Sequence, residues 1–205
     1  DSLPDGFGTL VVDRYLAKHG INPEEVSLLT RLTLLNDTSL GALEYRPCQS
    51  GFSSLEEIVD FDVRRKELDE LMENKSPSDL DALYHSSSAA GGSRPKVNIL
   101  RNNKLWIVKF PAFSDTPESG KREYDYNGIA KKCGLDVPPF ALLPSKKTSG
   151  YFAEERFDRK GGKRIHMISL SGLLEASPDI PVLDYLHLFK VCHHLGNEED
   201  VLQAY

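Results

Sequence analysis

Two short apolar runs, Val97–Leu100 and Leu105–Phe110, flank the dipeptide Asn102-Asn103. Asparagine tolerates the left-handed backbone that a tight turn demands, so this pattern predicts a β-hairpin. The second strand reads Trp106-Ile107-Val108-Lys109-Phe110 and so carries a lysine inside an otherwise apolar run. A lone ammonium is costly to bury, so Lys109 needs water or a partner. A helix over 118–133, stopped by Gly134, would carry Glu123 within reach. The alternative is an edge-strand lysine with its head in solvent.

The hairpin and helix set the frame for the rest. Further strands are expected at Phe140–Leu143, Tyr151–Phe157 and Arg164–Ile168, with Gly161-Gly162 turning between the last two. A closing helix fits Leu183–Leu195. Ahead of the hairpin the texture is helical. Phe7, Leu10, Val11 and Tyr15 fall at helical spacing before a stop at His19-Gly20. Asn22-Pro23-Glu24-Glu25 opens a second turn of helix. Leu40–Arg46, ending at Pro47, suits a short strand. Ser54-Leu55-Glu56-Glu57 has the spacing of a capping box opening a charged helix to about Asn74, and Ser76-Pro77 starts another. The order is that of an α+β fold: a helical or mixed amino-terminal subdomain, then a kinase-like small lobe with an antiparallel sheet and one regulatory helix.

Charge divides the chain at the same place. Residues 1–85 carry 8 basic and 17 acidic side chains, and residues 86–205 carry 17 and 14. That shift supports a boundary at 85/86. The positive half suits an anion of nucleotide size and is too weakly basic to argue for nucleic acid. The three cysteines form no CxxC, which favours a reducing, cytoplasmic setting. No apolar run is long enough to span a membrane. The chain opens on Asp1 and is read as an excised or processed start.

Three stretches are able to carry chemistry. Ser86-Ser87-Ser88-Ala89-Ala90-Gly91-Gly92-Ser93-Arg94-Pro95-Lys96 reads as an exposed, mobile loop. Its glycines let backbone N–H groups turn toward phosphate oxygens, and Lys96 adds a charge; it is equally a plain linker, and it is not a Walker A loop. The Lys109 strand is the second. Glu154-Glu155-Arg156-Phe157-Asp158-Arg159 is the third, either an exposed charged strand end or an edge for a nucleotide base. His193-His194 diverge on a helix, and no metal-ligand spacing stands out.

In order along the chain, several segments resemble the HipA family of toxin serine/threonine kinases. Leu3-Pro4-Asp5-Gly6-Phe7-Gly8 looks like its LPDGWG-type signature, and Leu40–Pro47 like its MGALEYRP segment. Gly91–Lys96 resembles its GGARPK loop, Ile107–Phe110 its ATP-lysine strand, and Arg122-Glu123-Tyr124 its regulatory helix. Glu155–Arg159 resembles its ERFDR hinge. The resemblance implies that Lys109 binds ATP phosphates with Glu123 orienting it. It places Gly91, Gly92, Ser93 and Lys96 in the phosphate loop, and has Glu155 and Phe157 offer backbone contacts to adenine. It makes Ser86, Ser87 and Ser88 candidates for autophosphorylation. It further implies ATP and Mg²⁺ as cofactors of the full kinase, and a helix-turn-helix antitoxin of the HipB type as partner. DNA would be met only through that antitoxin, and an aminoacyl-tRNA synthetase is a possible substrate. The family's Asn-x-Asp-Asp-His loop and its metal-binding Asp do not occur in these 205 residues, so no catalytic residue is assigned in this chain. A non-catalytic interaction scaffold is the alternative.

Overall fold

A computed structural model of the chain describes residues 3–35, 38–46, 55, 60–177, 180, 182–196 and 198–205. The capping box expected at 54–57 and the strand end at Pro47 lie outside them.

The hairpin forms as its sequence requires. Strands β1 (Lys96–Arg101) and β2 (Lys104–Lys109) pair antiparallel across Asn102 and Asn103, both with positive φ, 51° and 57°. The four-stranded antiparallel sheet has the order β1-β2-β4-β3, with β3 at Phe140–Leu143 and β4 at Tyr151–Glu155. Side chains alternate across it. One face carries Val97, Ile99, Trp106, Val108, Tyr151 and Ala153, which join the main core. The other face carries Lys96, Lys109, Phe152 and Glu154.

The core face packs on amino-terminal helices. Helix α1 (Gly6–Lys18) meets α4 (Leu80–Ser87), which lies on β1. Phe7, Val11, Val12 and Leu16 of α1 join Leu68 and Leu71 of α3 (Phe61–Met72) and Leu83 of α4 in one cluster with the sheet. The core is therefore continuous across residue 85. Short α2 (Leu28–Thr33) is capped by Ser27, and the turn at Pro23–Glu25 by Asn22, whose side chain accepts the Glu24 N–H. At the start of α3, Asp62 accepts hydrogen bonds from Ser145 Oγ (2.6 Å), Tyr151 OH (2.7 Å) and the Lys146 N–H (2.8 Å), which pins the helix to the β3–β4 loop.

Helix α5 (Ser119–Lys132) crosses the other face, against β3 and β4. Gly120 sets how closely: a Cβ there would overlap the Gly150 carbonyl oxygen. The helix ends at Gly134, φ +92°, where the Gly134 and Leu135 N–H groups cap its last carbonyls. Beyond the sheet follow the small hairpin β5 (Arg159–Lys160) and β6 (Lys163–Arg164), then α6 (Leu170–Leu173), α7 (Tyr185–Leu195) and α8 (Glu198–Ala204). Asp184 caps α7 and forms a capping box with His187.

The α+β class is as the sequence indicates; four local expectations are corrected. Residues 40–46 form bends and irregular chain rather than a strand; the Gly41 carbonyl is taken by Arg159 and Arg164. The strand expected over 164–168 stops at Arg164. Helix α4 begins at Leu80, since Asp79 rather than Ser76 supplies the cap. Ser86 and Ser87 belong to that helix and are not loop.

The Leu3–Gly8 motif meets Ala90–Gly92 backbone to backbone. Phe7 N–H donates to the Gly92 carbonyl (3.1 Å), and Asp5 Oδ1 accepts the Gly92 N–H. A Cβ on Gly8 would overlap the Ala90 carbonyl oxygen. Gly8→Ala should therefore cost about 1–3 kcal/mol, as overpacking does. Gly128→Ala, in open space inside α5, should stabilise by roughly 0.5–1 kcal/mol. Urea unfolding of the two variants checks both signs; a neutral Gly8→Ala would contradict the close approach.

Candidate functional site

Strand alternation puts Lys96 and Lys109 on the same sheet face, directly across the β1–β2 ladder. Two like charges so placed repel unless countered. Lys109 is countered twice. Its Nζ lies 2.5 Å from Glu123 Oε1 on α5 and 3.0 Å from Glu154 Oε1 on β4, and 5.1 Å from the Phe152 ring centroid. Burial pulls the Lys109 ammonium down, but the hydrogen bond it donates to Glu123 and the charge of Glu154 outweigh it and the net shift is upward. Lys96 forms no ion pair among the described residues. Its Nζ donates to the Gly91 carbonyl, and burial, with the neighbouring Lys109 charge, lowers its pKa.

Lys96, Lys109 and Glu123 line an open cleft of about 670 Å³. Gly92, Ser93, Arg94 and Lys96 form one wall; Ser114, Asp115 and Thr116 form the rim; Ser119, Arg122, Glu123 and Tyr126 project from the first turns of α5. Four cationic side chains face two carboxylates. The start of α5 adds the positive end of its dipole and unpaired N–H groups. Backbone amides at glycines, hydroxyls and excess positive charge are what a phosphate-bearing anion needs.

The family model for the HipA-like C-terminal domain matches residues 88–205, more than half of the chain. The chain belongs to the HipA-like family. No curated protein and no solved structure matches it significantly.

In this HipA-like chain the structure brings together Gly92, Ser93, Lys96, Lys109 and Glu123. Gly91 stands one residue outside the lining and contributes its carbonyl to Lys96. Glu155 and Phe157 do not join the cleft. The Glu155 side chain projects to the opposite sheet face, where it takes Lys104 Nζ at 2.7 Å. Its backbone N–H donates to the Pro139 carbonyl (2.8 Å), and Phe157 is 65% exposed. A second carboxylate besides Glu123 reaches Lys109, that of Glu154, which the sequence reading did not pair with it. Strand register identifies it, since Ile107 pairs with Glu154 and Lys109 with Phe152.

The serine run is not an exposed, mobile loop. Ser86, Ser87 and Ser88 are buried. Ser86 Oγ donates to the Ala82 carbonyl (2.8 Å), the back-bond a helical serine makes. Ser88 Oγ is buried without a partner. With all three side chains buried, a kinase would reach the hydroxyls only after the end of α4 opens. Among the described residues no cluster of His, Cys, Asp and Glu is able to hold a metal, and no helix is long and apolar enough to cross a membrane.

The segment after β4 is neither an exposed charged end nor part of the cleft; it is a buried knot. Arg156 and Asp158 are 3% and 2% exposed and bond each other at 2.5 and 2.8 Å. Arg156 also reaches Asn98 Oδ1 (2.9 Å) and the carbonyls of Thr38 and Ser39, while Asp158 accepts the Gly41 N–H (2.8 Å). Arg164 binds the Ser39 and Gly41 carbonyls. This knot ties residues 38–41 to the sheet. Burial opposes the Asp158 charge, but Arg156 and the Gly41 N–H hold its pKa below the ordinary carboxylate value. A depressed folded pKa gives stability that is present above the unfolded value and lost as pH falls through the folded one. Asp158→Asn should cost about 3–5 kcal/mol at pH 7, as breaking a buried pair does. The gap to wild type should close as pH falls below about 4. Urea midpoints from pH 7 to about 2.5 test this; a gap independent of pH would contradict it.

Proposed function

We propose that this chain forms the nucleotide-binding part of a protein serine/threonine kinase, with the cleft over Lys109 holding the phosphates of ATP. The observation that carries the reading is the Lys109–Glu123 ion pair, formed between a sheet lysine and the helix that crosses it, beneath a glycine-bearing loop. Lys109 would bridge phosphate oxygens while Glu123 and Glu154 fix its direction, and the Gly92 and Ser93 backbone, with Lys96, would line the other side. The nucleotide would enter as its Mg²⁺ complex. Transfer of the γ-phosphate to a protein serine needs a base and metal ligands, and the family's Asn-x-Asp-Asp-His loop that would supply them does not occur in these 205 residues. The family assignment supports a toxin role with a HipB-like helix-turn-helix antitoxin as partner, an aminoacyl-tRNA synthetase as a possible substrate and DNA met only through the antitoxin.

Titration calorimetry with ATP and Mg²⁺ tests the reading. Wild type should bind, and Lys109→Met should weaken binding at least tenfold, about 1.4 kcal/mol. Lys160→Ala, on the distant β5 strand, should leave it unchanged. The purified 205-residue chain should transfer no phosphate to protein. Equal affinity in wild type and Lys109→Met would remove the assignment, and phosphoprotein formed by the pure chain would show that the transfer machinery has been misplaced.

A further inference from the structure

Arg94 lies between Ser93 and the Pro95 that opens β1, and it reaches across the cleft mouth to the loop before α5. Its Nη2 stands 2.9 Å from Asp115 Oδ1. The two partners are held very differently. Asp115 is 13% exposed, and its second oxygen accepts the Ala112 N–H at 2.8 Å, so its own loop fixes it. The Arg94 side chain is 56% exposed and makes no other ion pair among the described residues. Its backbone is anchored next door, where the Pro95 carbonyl accepts the Phe110 N–H (2.9 Å). The result is an exposed guanidinium on a hydrogen-bonded backbone, beside Lys96 and Lys109, with both members of the pair lining the cleft. An exposed ion pair of this kind is weak. A planar guanidinium binds phosphate oxygens in a bidentate fork, and several phosphate charges outcompete a single carboxylate.

We propose that Arg94 is a phosphate ligand of this cleft, held by Asp115 until a polyphosphate enters and then handed over to it. The proposal rests on the reading of the cleft as a nucleotide phosphate site. Asp115 keeps the Ala112 N–H after the exchange, so the rim stays in place while the arginine moves. The nearby Arg122, which has no ion-pair partner among the described residues, adds to the attraction but needs no release.

The pair's two members are thereby given opposite signs. Arg94→Ala should weaken binding of ATP and of inorganic tripolyphosphate by roughly tenfold, the scale of a lost charge-assisted hydrogen bond. Asp115→Asn, which retains an oxygen for the Ala112 N–H, should tighten binding a few-fold. The decisive comparison is Arg94→Ala made in the Asp115→Asn background. If Arg94 touches phosphate, the roughly tenfold loss persists there. If Arg94 only neutralises Asp115, the loss vanishes and the proposal is overturned. It is also overturned if Asp115→Asn weakens binding and lowers the thermal midpoint together, which would make the pair a structural latch. Calorimetry on the whole 205-residue chain reads all four proteins. Wild-type binding that Arg94→Ala leaves unchanged would sink this proposal alone. Absence of wild-type binding to either ligand would sink the nucleotide reading and this proposal with it.

Discussion

The cleft depends on one arrangement of charge: the Lys109 ammonium between Glu123 and Glu154, on a sheet face shared with Lys96. Without the two carboxylates, neighbouring ammonium groups on one partly buried face would repel each other and lose hydration with nothing in return. With them, Lys109 stays charged and its head is fixed from two directions. Helix α5 must then lie close enough for Glu123 to reach down, which is what Gly120 permits by letting the helix backbone approach Gly150 and Phe152. Placing α5 in turn brings its first turn, Ser119 and Arg122 into the cleft wall.

The other wall is built from the far end of the chain. Gly6 and Gly8 meet the Ala90–Gly92 backbone with no room for side chains, and the Asp5 carboxylate accepts the Gly92 N–H. The amino-terminal motif thus acts as a mould for the glycine loop rather than as a separate unit. A second tie, through Arg156, Asp158 and Arg164, fastens residues 38–41 to the end of β4. Both ties join amino-terminal sequence to the lobe that carries the cleft, and the hydrophobic core runs through the same boundary.

What was legible in the sequence is what depends on local chemistry. Asn102-Asn103 marks the hairpin, Gly134 marks the end of α5, and a lysine in an apolar strand asks for a carboxylate that Glu123 supplies. What was hidden depends on pairings far apart in sequence. Glu154 rather than Glu155 faces Lys109 because of the β2–β4 register, which no single strand reveals. Arg156 and Asp158 look like a solvated strand end until residues 38–41, well over a hundred positions earlier, are folded onto them. Ser86–Ser88 look like loop because a polar serine run ahead of glycines is a weak helix signal; they are buried because they end α4, which packs between α1 and β1.

A phosphate-bearing nucleotide held over Lys109, between the glycine loop and the start of α5, would register in amide chemical shifts during titration with ATP and Mg²⁺. The largest changes are expected at Gly91–Ser93, Lys96, Lys109 and Ser119–Glu123, with β5 and β6 unmoved. Changes centred on residues 156–164, or none at saturating nucleotide, would contradict that placement.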